Sequence, residues 1–282
     1  MACKSIVIFS YSRPELLRDS INSVFSASGS AGWKKVLVCQ LGHKEVELIA
    51  SEYEDKFDLV IRLNEQYDTA LANINFNRIL GTSICFDVFQ SDLVLGIEED
   101  TMISNDSLIF IEKTFEKYES NRAFRGINLG SLQPRNEADL NSYSLLRYGL
   151  HGQAGVLTRK TWSHFSNKEL LDEISLEGWD SRMEPFLKSG FMVTSNLSRF
   201  LDRGWAGTHS PSDSSHPHYV KLNNSWVGEG SKTTQDFIQK NMVHDWRIDA
   251  IVYRKRDALL FMIKRNSKVR LLSRLWRQHK AS

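Results

Sequence analysis

Cysteine is scarce in this chain of 282 residues: Cys3, Cys39 and Cys85 are odd in number and lie far apart. No two stand at the spacing of a metal knuckle or a redox pair, so they read as buried or free thiols in a reducing compartment. An excess of one charge is also missing. The 36 Lys and Arg against 34 Asp and Glu leave a net charge of +2, too small to imply a polyanionic partner such as nucleic acid. No segment reaches the roughly 18 apolar residues of a membrane span. Ser10, Ser12, Arg13 and Glu15 interrupt the first apolar run too early for a signal peptide. There is no internal repeat. These absences predict a soluble, cytoplasmic protein, and a chain of this length buries roughly 75% of its unfolded surface without covalent staples.

What is present is an alternation of buried strands and amphipathic helices. Lys4 to Phe9, Lys35 to Cys39, Leu59 to Leu63 and Leu93 to Ile97 are short, β-branched apolar runs. Between them, Glu15 to Ser26, Lys44 to Asp55 and Ala70 to Phe89 have helical spacing, with Pro14 suited to a first helical turn. A helix is expected over Ser107 to Tyr118, capped by Ser104 or Asn105. Strands are expected over Phe124 to Leu129 and Gly152 to Thr158, and a short helix within Asn167 to Glu177. The pattern predicts an α/β fold, with a Rossmann-like, mostly parallel sheet flanked by helices. Thr194 to Gly230, rich in Ser, Asn, Gly and His, reads as one long functional loop. From Arg254 the chain carries ten Lys and Arg against the single acid Asp257, interleaved with apolar residues. That basic amphipathic tail reads either as a packed helix with a solvated basic face or as a peripheral contact with an anionic membrane.

Glu98-Glu99-Asp100 stands directly after the apolar run Leu93 to Ile97. A bare acidic triplet is most often solvated surface. Three carboxylates ending a buried strand repel one another, and a hard divalent cation, Mg²⁺ or Mn²⁺, relieves that repulsion. Ligands of open α/β sheets gather at the carboxyl ends of strands, where this triplet sits. Such a cation suits transfer from a nucleotide sugar, because negative charge develops on the departing diphosphate. The acceptor hydroxyl then needs a general base, and Asp180 in Gly178-Trp179-Asp180 is the candidate.

These segments resemble a glycosyltransferase of the nucleotide-diphospho-sugar (GT-A) fold. Within that class the chain is similar to the N-acetylglucosaminyltransferase I family, which transfers GlcNAc from UDP-GlcNAc to mannose with inversion and uses Mn²⁺. The matching pieces run in family order: Ile8 to Arg13, Val38 to His43 with Ile49 to Ser51, Glu98-Glu99-Asp100, Trp179-Asp180 with Met183 and Pro185, and Ser198-Arg199 through Lys221 to Asn223. The resemblance implies that Asp100 ligates the metal and that Glu98 or Glu99 contacts the donor sugar or ribose. It further implies that Arg13 and Gln40 lie in the nucleotide site and that Asp180 is the base. Leu41 stands where the family carries an acid that reads uracil.

His209, His216 and His218 fall in the late loop, and His209 is the candidate further metal ligand. His151 is a candidate for the acceptor site, and Trp179, Trp205 and Trp226 for stacking on sugar faces. The expected organisation is a catalytic domain over residues 1–253, with a nucleotide-sugar half to about 120 and an acceptor half beyond it, followed by the tail at 254–282. The expected partners are a nucleotide-sugar donor, UDP-linked by the resemblance, and a saccharide or lipid-linked saccharide acceptor in surface polysaccharide synthesis, with no nucleic acid. A sugar-1-phosphate nucleotidyltransferase should carry a Gly-rich phosphate loop, and Ser10 to Pro14 has no glycine. A non-catalytic carbohydrate-binding relative and a metal-dependent hydrolase remain as alternatives.

Overall fold

Alternate side chains of the first strand face opposite ways, and the two faces of the protein follow from it. In β1 (Lys4–Ser10), Ile6 and Ile8 join one buried cluster while Val7 and Phe9 join another. The first cluster takes Leu17 and Ile21 of α1 (Pro14–Ser26), and Val46 and Ile49 of α2 (Lys44–Glu52), which follows β2 (Lys34–Gln40). After β3 (Leu59–Leu63), helix α3 (Ala70–Ser83) crosses to the other face and continues into a π-helical turn at Ile84–Val88. Gly81 makes that crossing close. A Cβ there would meet Val38 Cγ2 at 2.7 Å and Val7 Cγ2 at 3.0 Å, so only glycine lets α3 lie this near the sheet.

The chain then returns through β4 (Leu93–Glu98), β5 (Thr101–Ile103), α4 (Ser107–Tyr118), β6 (Phe124–Asn128), β7 (Ser142–Leu146) and β8 (Ala154–Thr158). It continues through α5 (Arg159–Trp162), α6 (Asn167–Leu171), α7 (Glu184–Lys188), β9 (Phe191–Ser195), β10 (Phe200–Asp202) and β11 (Val243–His244). This is a computed structural model, and it describes residues 2–130, 140–147, 149–150, 152–165, 167–171, 182–204, 226–228 and 242–244. The chain divides into two units, Met1–Asp249 and Ala250–Ser282. All described residues belong to the first. The basic tail, His151, Trp179, Asp180, Trp205, His209, His216 and His218 lie outside the described residues.

Nine strands form one sheet in the order β11-β7-β9-β6-β8-β4-β1-β2-β3. β3, β2, β1 and β4 are parallel, as are β6 with β9 and β7 with β11. β8 runs antiparallel to both β4 and β6, and β7 antiparallel to β9. The expected class, a mostly parallel α/β sheet flanked by helices, is the one observed. Strand order reverses at β1, because β2 and β3 build outward on one side and β4 returns on the other. That is the switch point where ligands of such sheets bind.

The long loop expected over Thr194 to Gly230 needs correction at its start. Thr194 and Ser195 end β9, and Phe200–Asp202 form β10, which pairs antiparallel with β5 in a separate two-stranded ribbon. Arg199 anchors this stretch. It is fully buried, lies 4.4 Å from the Phe110 ring centroid and pairs with Asp106 at 3.1 Å. Periodicity in three-residue strands is too short to register, and a buried arginine breaks the apolar pattern further.

Candidate active site at the carboxyl ends of β1 and β4

The three members of the acidic triplet do three different things. Glu99 is 2% exposed and closes the turn after β1. Its Oε2 accepts the Tyr11 backbone N–H at 2.6 Å, and its Oε1 accepts the Ser12 N–H at 3.2 Å and Arg13 Nε at 2.9 Å. Asp100 is 4% exposed and accepts Arg13 Nη2 on Oδ2 at 2.7 Å. Glu98 is the open member, its side chain 32% exposed and ion-paired with Arg78. Glu99 is thus surrounded by protein donors, while Glu98 keeps part of its side chain open to solvent.

A fourth carboxylate arrives from β10. Asp202 is fully buried, sits opposite Thr101 in the ribbon, and accepts hydrogen bonds from Gln153 and from the Gly204 N–H at 2.8 Å. The chain turns against Asp100 at this point, with the Arg203 N–H donating to the Asp100 carbonyl at 2.9 Å. A Cβ on Gly204 would meet Asp100 Oδ2 at 2.4 Å and Asp202 Oδ1 at 3.1 Å. Asp100, in the turn between β4 and β5, and Asp202 of β10 thus pack so closely on the Gly204 backbone that a side chain there would displace Asp100. Sequence reasoning missed Asp202, and Gly204 two residues later is the only signal that would have pointed to it.

Electrostatics match this crowding. The Asp100 carboxyl is pushed up to about 7. Burial is the main cause and Glu98 adds to it. Arg13 opposes the shift, while Asp202 and Glu99 contribute further repulsion. Burial works against the Arg13 charge as well, but Asp100 and Glu99 outweigh it and hold the guanidinium above its ordinary range. A site that disfavours its own ionised carboxylate gains when a cation enters.

Among the described residues no three His, Cys, Asp or Glu side chains form a metal cluster by themselves. The donor set at Gly204 nonetheless fits a hard divalent cation. Mg²⁺ or Mn²⁺ is held by one or two carboxylates and fills its other positions with water and substrate phosphate oxygens. Asp100 and Asp202 could supply those carboxylates. Gly204→Ala is expected to lower Mn²⁺ affinity about 10–100-fold while leaving the far-ultraviolet circular dichroism unchanged. An Mn²⁺ titration followed by electron paramagnetic resonance checks this; unchanged affinity would place the cation elsewhere.

Arg13 joins the acidic group, but Gln40 does not. Gln40 is fully buried, its amide nitrogen donating to the Leu63 carbonyl at 2.9 Å and its oxygen accepting from Asn77 at 2.8 Å. It ties β2 to β3 and α3. The aromatic pair at this end of the sheet is Tyr11 with His43, ring centroids 5.1 Å apart at 58°. Burial raises the Tyr11 hydroxyl above its ordinary range, and Glu65, just after β3, adds to that shift. Of the tryptophans proposed to stack on sugars, Trp226 is described; it is half-buried and bridges Ser198.

No protein-family model matches the chain, and no curated protein matches it in sequence. Similarity is found to solved structures. A 1–349 fragment of S. aureus TarS is 12% identical, with 70% of this chain covering 59% of that one at a TM-score of 0.47. The mannosyltransferase PcManGT from Pyrobaculum calidifontis, solved with GDP-Man and Mn²⁺, is 11% identical, with 73% covering 59% at a TM-score of 0.45. The TarS fragment solved with UDP-GlcNAc gives 12% identity, 70% and 57% coverage and a TM-score of 0.44. The chain therefore spans less than two thirds of the length of these structures.

Proposed function

We propose that this chain is a metal-dependent glycosyltransferase that moves a sugar from a nucleoside-diphosphate donor to a hydroxyl of a saccharide or lipid-linked saccharide acceptor. The observation that carries this reading is the convergence of Asp100 and Asp202 on the backbone at Gly204, beside the point where strand order reverses. In the proposal these two side chains hold Mn²⁺ or Mg²⁺, with His209 as a further ligand. When bound, the cation supplies Lewis-acid stabilisation of the charge that grows on the departing diphosphate.

The remaining roles belong to the chain. Arg13 lies one turn from β1 with Nη2 on Asp100, and in the proposal that group faces the donor phosphates. Glu98 keeps an exposed carboxylate edge for a donor sugar or ribose hydroxyl. Tyr11 and His43 close the ends of β1 and β2 and take the nucleotide base. Glu65, which meets Tyr11, stands in for the acid that Leu41 replaces, and the base is uracil by the family resemblance. Asp180 receives the acceptor proton as the hydroxyl attacks the anomeric carbon, giving inversion. That role, the GlcNAc or related hexose donor, and the division into a donor half to about 120 and an acceptor half to 253 rest on resemblance to the N-acetylglucosaminyltransferase I family. The basic tail, residues 254–282, supplies a peripheral contact with an anionic membrane in this proposal.

Thermal shift with a panel of nucleoside diphosphates and nucleotide sugars, with and without Mn²⁺, tests the reading. One nucleoside diphosphate and its sugar conjugate should raise the melting temperature only with metal, and saccharide acceptors should then consume the conjugate. Absence of metal-dependent binding across the panel would instead support a non-catalytic carbohydrate-binding role. Nucleotide release without any acceptor would support a hydrolase.

A further inference from the structure

Helix α3 buries side chains that an ordinary amphipathic helix would expose. Asn73, Asn75, Asn77, Arg78, Thr82 and Ser83 are all buried. Buried polar groups carry a desolvation cost unless they are paired, and the partners of three of them form a pattern. Asn73 holds the segment after β3, accepting the Gln66 and Tyr67 N–H groups at 2.8 and 3.0 Å and donating to the Tyr67 carbonyl at 2.8 Å. Asn77, one helical turn on, donates to Gln40 at the end of β2. Arg78 then reaches the end of β4, pairing with Glu98 and donating from Nη1 to the Gly152 carbonyl at 2.8 Å. One helix thus grips the ends of β2 and β4 and the segment that follows β3.

Arg78 is the decisive member. Its side chain is 3% exposed and its guanidinium lies 5.2 Å from the Phe9 ring centroid. A buried ion pair contributes little net stability compared with apolar packing, so stability alone does not account for it. Glu98 and the Gly152 carbonyl are two of its partners. Glu98 is the open carboxylate of the triplet, and the Gly152 carbonyl is a second anchor for the guanidinium. We infer that Arg78 is a positioning residue of the donor site, holding the Glu98 carboxylate in place while itself anchored on the Gly152 carbonyl. This inference rests on the glycosyltransferase reading.

The test is a double-mutant cycle on Arg78 and Glu98, read by steady-state kinetics with a nucleotide sugar and Mn²⁺ and by direct binding of the nucleoside diphosphate. Arg78→Met is expected to lower kcat/KM about 100-fold, the size of effect that a misplacement near 1 Å produces. Glu98→Gln should fall by a similar factor, and the double variant should lie within about threefold of Glu98→Gln alone, because the arginine acts through the glutamate. With Glu98 on the transferred sugar, nucleoside diphosphate affinity should stay within about threefold of wild type, since Asp100 and Asp202 are untouched. Arg78→Lys keeps the charge, loses the two-pronged grip, and should recover about tenfold of the loss. Factors that multiply in the double variant would overturn the inference. So would equal weakening of diphosphate and nucleotide sugar, or failure of both Arg78→Met and Arg78→Lys to fold. A wild type that binds no nucleoside diphosphate with metal removes the donor reading and the inference together, and that result is distinct from multiplying factors in an active enzyme.

Discussion

Asp100→Asn is expected to make the metal-free protein more stable at pH 8 while lowering transfer about 10³-fold. The stability half follows from the surroundings of Asp100. Its carboxyl rises from an ordinary 3.8 to about 7, with burial first, then Glu98, then Asp202 and Glu99 disfavouring the charge, and Arg13 alone opposing them. A group whose folded value lies above its unfolded value stabilises the fold fully only below the unfolded value. That contribution is lost as pH rises through the window from about 4 to about 7. Above it, the ionised aspartate costs on the order of a few kcal/mol, at 1.36 kcal/mol per unit. Asparagine carries no charge to bury, so its melting temperature in EDTA should exceed wild type by roughly 4–10 °C at pH 8. The two should coincide near pH 4. Mn²⁺ should raise the wild-type value and leave the variant unmoved. Superimposed melting curves at pH 8, or an Asn variant that keeps metal-dependent transfer, would remove Asp100 from the role proposed.

Such a gain in stability on losing function marks a site whose charges are arranged for a ligand rather than for the fold. Glu98, Glu99 and Asp100 are adjacent in sequence and look equivalent there. Their differences come from partners far along the chain: Arg78 for Glu98, the Tyr11 to Arg13 turn for Glu99, and Gly204 and Asp202 for Asp100.

What could be seen in advance followed physical signal strength. β1 to β4 and their helices were legible because long apolar runs and 3.6-residue spacing agree over many residues. Glu98-Glu99-Asp100 was legible as a candidate site because it follows such a strand. β5 and β10 were not, being three residues each, and their pairing joins positions about a hundred residues apart. Asp202 was lost with them. Arg78 was hidden for another reason: a cation inside a helical pattern reads as its solvated face, and only the sheet packed beside it reverses that reading. The expected cap at Ser104 or Asn105 also resolves differently. Ser104 donates to Asp106 at 2.5 Å, and Asp106, the residue before α4, is drawn instead into the buried pair with Arg199. Gln40 sits at the expected strand end, yet hydrogen-bond satisfaction turned its amide inward, where an unpaired group would be costly.

Glu99→Ala should have the opposite effect on stability from Asp100→Asn, although the two residues are neighbours. Glu99 is where the turn after β1 is fastened, by two backbone N–H groups and the Arg13 Nε. Its removal leaves two donors without their acceptor and Arg13 with Asp100 as its remaining carboxylate partner at this turn. Breaking a buried pair by deleting one partner costs about 3–5 kcal/mol. Arg13 is partly open to water and keeps Asp100, which brings the expected cost to about 3 kcal/mol, or roughly 6–10 °C in melting temperature. Glu99→Gln keeps one oxygen acceptor and should lose about half as much. The same turn carries Tyr11 and Arg13, so nucleoside diphosphate affinity should drop more than about tenfold in the Ala variant even at temperatures where it is fully folded. Urea melts paired with a binding titration separate the two effects. If Glu99→Ala melts like wild type, the turn is held by something other than this carboxylate. If it melts early but binds normally, the turn supports the fold without shaping the donor site, and the phosphate-facing role of Arg13 falls with that result.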